Sequence, residues 1–266
     1  MRVAAVQTVS TPDVGRNLDV AARLIAQAAG DGAQLVALPE YFCLMGQRDE
    51  DKLRVAEAPG AGPIQTFLST QAQRHGVWLI GGTLPMQTGQ PARVRNACCV
   101  YAPDGTQAAR YDKMHLFRYD NGRESYDEAR VLEAGEQPVA LQVGALRVGL
   151  SVCYDLRFPE FYRQLCVPPC DLLSVPAAFT YTTGRDHWEL LLRARAVENQ
   201  CYVIAPAQGG THENGRRTWG HSMVIDPWGK VLAVLPEGEG VALADVDPQR
   251  LATVRQQLPA LTHRRL

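Results

Sequence analysis

Polar and apolar residues alternate from the first positions of the chain, and the period then switches repeatedly between two and 3.6. Arg2-Val3-Ala4-Ala5-Val6-Gln7 predicts a strand, while Leu18, Ala21, Ala22, Ile25 and Ala28 recur at helical spacing and predict a helix over 17–29. Residues 34–38 form a short apolar strand that stops at Pro39. Pro63 suits a first helical position and opens a helix whose inner face carries Ile64, Phe67, Leu68 and Ala72. Strands are predicted at 77–81 and 95–101, the second ended by the turn Pro103-Asp104-Gly105. Strands at 146–152 and 172–175 flank a helix that begins at Phe158-Pro159-Glu160. The strongest helical pattern covers 186–199, where Asp186 and Glu189 have the spacing of a capping box. Four strands follow at 202–205, 221–225, 231–235 and 241–245, joined by turns such as Asp226-Pro227-Trp228-Gly229. Residues 111–135 carry no such pattern and predict a long polar loop, a kind of segment that is often functional.

Neither a fixed-period repeat nor a Pro/Gly/Ser linker divides the chain, so the interleaved strands and helices predict one layered α/β domain over 1–266. A fold of this length buries roughly 70–75% of its unfolded surface without help from disulfides or metals. At 46% hydrophobic and 21% charged residues, disordered and coiled-coil chains are excluded. Lys+Arg 27 against Asp+Glu 28 leaves a net charge of −1, without the basic excess of a nucleic-acid or anionic-membrane binder. A small-molecule partner is expected instead. No run of about 18 apolar residues predicts a membrane span. The seven cysteines, an odd count with no apolar leader before them, predict free thiols in the reducing cytoplasm.

The six histidines include no helical H-x-x-x-H pair, and Cys166-Val-Pro-Pro-Cys170 reads as a structural turn, so no metal site is expected. No G-x-G-x-x-G follows the first strand, which leaves no cofactor motif. Cys153 stands apart, because it ends an apolar strand at a strand-to-helix turn, where a thiol faces a crevice beyond the sheet edge. The bland alternative is an inert buried cysteine. Glu40 lies just past another buried strand, and Lys113 sits in Arg110-Tyr111-Asp112-Lys113-Met114-His115-Leu116-Phe117, among alternating charges and aromatics. Taken singly, these read as a loop glutamate and a surface lysine. Together a thiol, a carboxylate and a cation form a set suited to acyl transfer.

Leu38-Pro39-Glu40, Asp112-Lys113-Met114-His115-Leu116 and Val152-Cys153-Tyr154-Asp155-Leu156-Arg157-Phe158-Pro159-Glu160 resemble, in order and spacing, the three motif blocks of the nitrilase superfamily of carbon–nitrogen hydrolases. The likeness runs from Val3 nearly to Arg265. It implies a four-layer α-β-β-α sandwich that pairs through its helices into a homodimer or higher homo-oligomer. It also implies Glu40 as general base, Lys113 as oxyanion stabiliser and Cys153 as nucleophile. A second glutamate that holds the lysine is implied at Glu128, with Glu124 and Glu133 as neighbouring competitors. Cys166-Val-Pro-Pro-Cys170 departs from the small-residue turn of relatives.

Within the superfamily the segments 187–203 and 220–229 resemble the Nit-type amidases. Of two branches, Gln200-Cys201-Tyr202-Val203-Ile204-Ala205-Pro206-Ala207-Gln208 with Gly209-Gly210-Thr211-His212 is closer to the amidases of deaminated glutathione than to the ω-amidases of α-ketoglutaramate-type acids. The expectation is hydrolysis of a carboxamide of a small α-keto acid through a cysteine thioester, with release of ammonia. The Tyr154 amide is expected at the oxyanion, and Arg157 at a substrate carboxylate, with Arg123 second. Phe179 and Thr180 are placed near the pocket by the same resemblance. Trp188, Leu191, Leu192, Trp219 and Trp228 are read as packing residues. A catalytically idle interaction protein on the same scaffold is the non-enzyme alternative.

Overall fold

The computed structural model describes residues 1–265. Its first half runs β1 (Arg2–Gln7), α1 (Val14–Gly30), β2 (Leu35–Ala37), α2 (Asp51–Arg54), α3 (Pro63–His75), β3 (Trp78–Ile80), β4 (Leu84–Gln87), β5 (Val94–Tyr101) and β6 (Gln107–Asp112). A small hairpin, β7 (Arg118–Asp120) and β8 (Ser125–Asp127), precedes the second half. That half contains β9 (Val139–Val143), β10 (Leu146–Leu150), α4 (Pro159–Leu165), β11 (Leu172–Ser174), α5 (Tyr181–Asn199) and β12 (Tyr202–Ala205). The chain closes with β13 (Ser222–Ile225), β14 (Val231–Leu235), β15 (Gly240–Asp245) and α6 (Pro248–Gln257).

Two mixed sheets result. One has the order β15-β1-β2-β3-β5-β4 with β6 also on β5, and the other has the order β14-β13-β12-β11-β10-β9. Alternation along the strands decides the layering. In β1, Val3 and Ala5 join the cluster that reaches β10–β12 of the second sheet, while Ala4 and Val6 join the cluster under α1 and α3. Leu35 and Ala37 against Val36 and Leu38 repeat the division, as do Cys98 and Val100 against Cys99 and Tyr101. Each of these three strands therefore buries both faces, one on the opposite sheet and one on helices, as an α-β-β-α sandwich requires. α5 covers the second sheet, where Trp188 and Leu192 pack in the core and Leu191 is half-buried.

Several sequence expectations need correction. Helix α5 begins five residues earlier than the Asp186–Glu189 spacing suggested. Its cap is Thr180, whose hydroxyl accepts from Thr183 N, and Asp186 lies inside the helix paired with Arg185. The predicted loop 111–135 holds the β7–β8 hairpin and a 3-10 turn at Glu128–Arg130. Trp228 does not pack inward and is 55% exposed, whereas Trp219 stacks on His221 at 4.2 Å. The seven cysteines are all free and buried, and no helix among the described residues is long and apolar enough to cross a membrane.

Two glycines set the strand ends that matter next. Gly82 has φ +56, and a Cβ there would come within 2.1 Å of Pro39 O, so the residue before Glu40 can sit against β3's exit only because this side chain is absent. A Cβ on Gly135 would come within 2.0 Å of Asp112 O, beside Lys113.

Candidate active site

Glu40 lies just beyond β2, Lys113 just beyond β6, and Cys153 opens a 3-10 turn, Cys153–Arg157, three residues past the end of β10. Two of these positions carry backbone strain. Cys153 has φ +49 and Tyr41, next to Glu40, has φ +58, a region that non-glycine residues adopt only where surrounding contacts enforce it. Cys153 N donates to Pro176 O at 2.9 Å, and Tyr41 N donates to Thr83 Oγ1 at 2.9 Å; these bonds fix both turns.

Lys113 is fully buried, and its ammonium lies between two carboxylates. Its Nζ donates to Glu40 Oε1 at 2.9 Å and to Glu128 Oε1 and Oε2 at 3.0 and 2.8 Å. Burial opposes the charged lysine, but Glu128 and Glu40 outweigh it and hold the ammonium above the ordinary lysine range. Burial likewise opposes ionised Glu128. The charge and hydrogen bonds of Lys113 prevail, with help from Phe117 N at 2.7 Å and Tyr41 Oη at 2.8 Å, and they hold this carboxyl below its ordinary value. Glu40 is oriented from three sides: Asn96 Nδ2 and Lys113 share Oε1, and Ala178 N donates to Oε2 at 2.9 Å. Of the three glutamates weighed for the lysine, only Glu128 reaches it. Glu124 accepts from Thr182 Oγ1, and Glu133 pairs with Arg95.

The two acids and one base carry a net charge of −1 beside Cys153. Burial, reinforced by Glu40, pushes the Cys153 thiol well above its ordinary value, and Lys113 offsets only part of this. The cysteine therefore rests as a neutral thiol at neutral pH and needs a base in place when it attacks. Asp155, two residues on, is fully buried and ties the second sheet to the first. It accepts Val152 N at 2.8 Å and Tyr111 Oη at 2.7 Å, and His115 N and Nδ1 at 3.0 and 2.7 Å.

Glu40, Glu128 and Cys153 line one small cavity together with Tyr154, Arg157, Phe179 and Thr180. The structure thus brings together eight of the positions singled out in the sequence, counting Lys113 behind the two acids. Arg157 lies over the rings of Tyr154 and Phe179, and its Nη1 meets His187 Nδ1 at 3.2 Å; no carboxylate neutralises it among the described residues. Thr180 carries the helix cap as well as a piece of the wall. Arg123 is exposed and lies outside this cavity, in a neighbouring groove. Sequence reasoning missed Asn96, Asp155 and Arg216. A lone amide inside the apolar run Val94-Arg95-Asn96-Ala97-Cys98-Cys99 was a signal for the first, whereas Arg216 lies in a loop whose composition gave none.

Compared with known proteins, residues 2–256 match the family model of the carbon-nitrogen hydrolases. The chain belongs to that family. This carbon–nitrogen hydrolase is 46% identical over 265 residues to the deaminated glutathione amidase of Synechocystis sp., covering 98% of this chain and 97% of that protein. It is 38% identical to the omega-amidase NIT2 of Danio rerio, covering 99% and 94% of the two chains. Its fold superposes on Saccharomyces cerevisiae Nit3, described as a member of the nitrilase superfamily, with a TM-score of 0.91, 31% identity and coverage of 100% and 97%. The expected nitrilase-superfamily sandwich is therefore the fold of this hydrolase.

Proposed function

We propose that this hydrolase is an amidase that cleaves deaminated glutathione through a Cys153 thioester. The observation that carries the reading is the buried Lys113, clamped by Glu40 and Glu128 at the wall of the cavity that holds Cys153. Glu40 takes the thiol proton as sulfur attacks the amide carbon. Lys113 and the Tyr154 N–H stabilise the oxyanion; that N–H lies in the first turn of a 3-10 segment, where amides lack an internal acceptor. Glu40 returns the proton to the departing nitrogen, then draws a proton from water as it attacks the thioester, and the sulfur leaves as the thiol once Glu40 gives that proton back. Glu128 does not touch the reacting atoms in this scheme; it holds the ammonium in position.

The leaving group follows from substrate chemistry. In deaminated glutathione the amide nitrogen belongs to cysteinylglycine, so that dipeptide leaves as the amine, while ammonia leaves only from a primary amide such as α-ketoglutaramate. The ammonia expected from the sequence therefore applies to the second substrate class alone. Both classes yield α-ketoglutarate, and Arg157 is suited to its keto-acid carboxylate because it is half-buried in the cavity wall without an acidic partner. The higher identity to the Synechocystis amidase favours the dipeptide-bearing substrate.

Release of α-ketoglutarate from each substrate by purified protein tests the reading. Faster turnover of deaminated glutathione, abolished by Cys153→Ala, is the expected result. Preference for α-ketoglutaramate moves the enzyme to the omega-amidase class, and an active Cys153→Ala variant removes the nucleophile.

A homodimer and a cytoplasmic setting complete the proposal. Leu190 and Val197 on α5, with Trp228 in the β13–β14 turn, leave apolar side chains exposed, and the seven buried thiols suit a reducing compartment. A monomer on sedimentation would reject the pairing.

A further inference from the structure

Arg216 is the one cavity residue that also lines a second space, an open outer groove that includes Arg123, Tyr126 and Asn214. Its position is firmly set. The hairpin that carries it is closed by His212 N donating to Arg216 O at 2.9 Å, and Arg216 N donates to Asn214 Oδ1. Asn214 Nδ2 reaches across to Gly46 O at 2.7 Å. The guanidinium stacks over the Tyr126 ring at 5.0 Å and spends Nη2 on Ala178 O at 3.1 Å, yet its Nε is buried with no hydrogen-bond partner. A buried N–H of a charged group left without an acceptor is costly unless a ligand supplies one. No carboxylate of the described residues pairs with this arginine. The groove beyond it is lined by five cationic side chains (Arg48, Lys52, Arg123, Arg216 and Arg217) and two acids, Asp49 and Glu124; Lys52 pairs with Asp49 and Arg217 with Glu237, which leaves Arg48, Arg123 and Arg216 without an ion-pair partner among the described residues. An anionic group carried on the departing side of the substrate would meet that excess.

We propose that Arg216 is a specificity-determining residue that binds the terminal carboxylate of the leaving amine, at the mouth between cavity and groove. The inference rests on the amidase reading above and assigns the two ends of the substrate to two arginines. Arg157 takes the keto-acid carboxylate, which stays on the enzyme as the thioester, and Arg216 takes the carboxylate that departs with the amine. A primary amide has no such tail and makes no use of Arg216.

The test compares deaminated glutathione, the same compound with its glycine carboxylate converted to a carboxamide, and α-ketoglutaramate, on wild type, Arg216→Gln and Arg216→Lys. For wild type, neutralising the tail should lower kcat/KM by roughly ten- to a hundred-fold, the worth of a hydrogen bond to a charged group. Arg216→Gln should lose a similar factor on deaminated glutathione, chiefly in KM. Its loss on the neutral-tail compound and on α-ketoglutaramate should be at least ten times smaller, and Arg216→Lys should recover part of the difference. Equal losses on all three substrates would reduce Arg216 to a support for Ala178 and overturn the proposal. So would a wild-type enzyme indifferent to the tail charge, a comparison that needs no variant to fold. Wild type that releases no α-ketoglutarate from deaminated glutathione overturns the amidase reading itself and the tail assignment with it.

Discussion

Arg157 and Arg216 line the cavity and Lys113 lies behind its two acids, and the surroundings of these cations differ in kind. Lys113 is wholly buried and paired with two carboxylates that the chain itself supplies. The arginines are half-buried, lie over aromatic rings, and have no acidic partner among the described residues. A cation compensated in the folded state is fixed before substrate arrives, and its removal unbalances a dry interior. A cation left uncompensated is available to an incoming anion, and its removal leaves little behind to destabilise. Chemistry and recognition are thus separated by where the counter-charge comes from.

That contrast can be broken experimentally. The largest effect is expected for Glu40→Gln, which keeps size and accepting oxygen but removes the base; kcat/KM should fall by roughly 10²–10⁴, read from α-ketoglutarate release. Lys113→Met should cost stability as well as activity. Two buried carboxylates would lose their shared partner, at a cost of about 3–5 kcal/mol and a drop in Tm on the order of 10 °C, measured by calorimetry. Arg157→Gln should behave oppositely, with KM raised about ten-fold and unfolding changed by less than about 0.5 kcal/mol. If Arg157→Gln destabilised the fold as much as Lys113→Met, the distinction would collapse.

Smaller effects sharpen it. Thr180→Ala should cost about 1 kcal/mol through the lost cap of α5, so a rise in KM beyond that expected of a loosened helix would give Thr180 a substrate contact too. The pH dependence has a definite sign. Glu128 is held below its ordinary 4.5, so its contribution to stability is complete above that pH and is lost as pH falls through the lowered value. Lys113 is held above 10.5, so its contribution is complete below that pH and is lost only as pH rises through the raised value. Denaturant unfolding of Glu128→Gln should therefore show a shallower acid-side loss than wild type.

The layering was legible because β1, β2 and β5 sort their residues onto two apolar surfaces by simple alternation, and because Pro63 marks the start of α3. The start of α5 was not, because the acidic pair at 186 and 189 imitated a cap, whereas the real one is the plainer Thr180. Three-residue strands such as β7 and β8 carry too few positions to set a period. In the site, Glu40 and Cys153 were conspicuous as polar residues past the ends of apolar strands, and Lys113 as a cation among alternating charges and aromatics. Ala178 contributes through its backbone N–H and Arg216 through an unfilled Nε, and neither property is written in residue type.

The site is divided between the sheets: Glu40 and Lys113 follow strands of the first, Cys153 follows a strand of the second, and β15 crosses back from the C-terminal half to pair with β1. A chain cut at the exposed residues Glu136 and Gln137 would give two fragments, one carrying both charged groups and the other the thiol. Neither fragment alone would hold a complete centre, and β15, the edge strand that the first sheet takes from the C-terminal fragment, would draw them together. Turnover by the mixed fragments would then count reassembled molecules, which makes this fold a ready reporter of whether two tethered proteins have met.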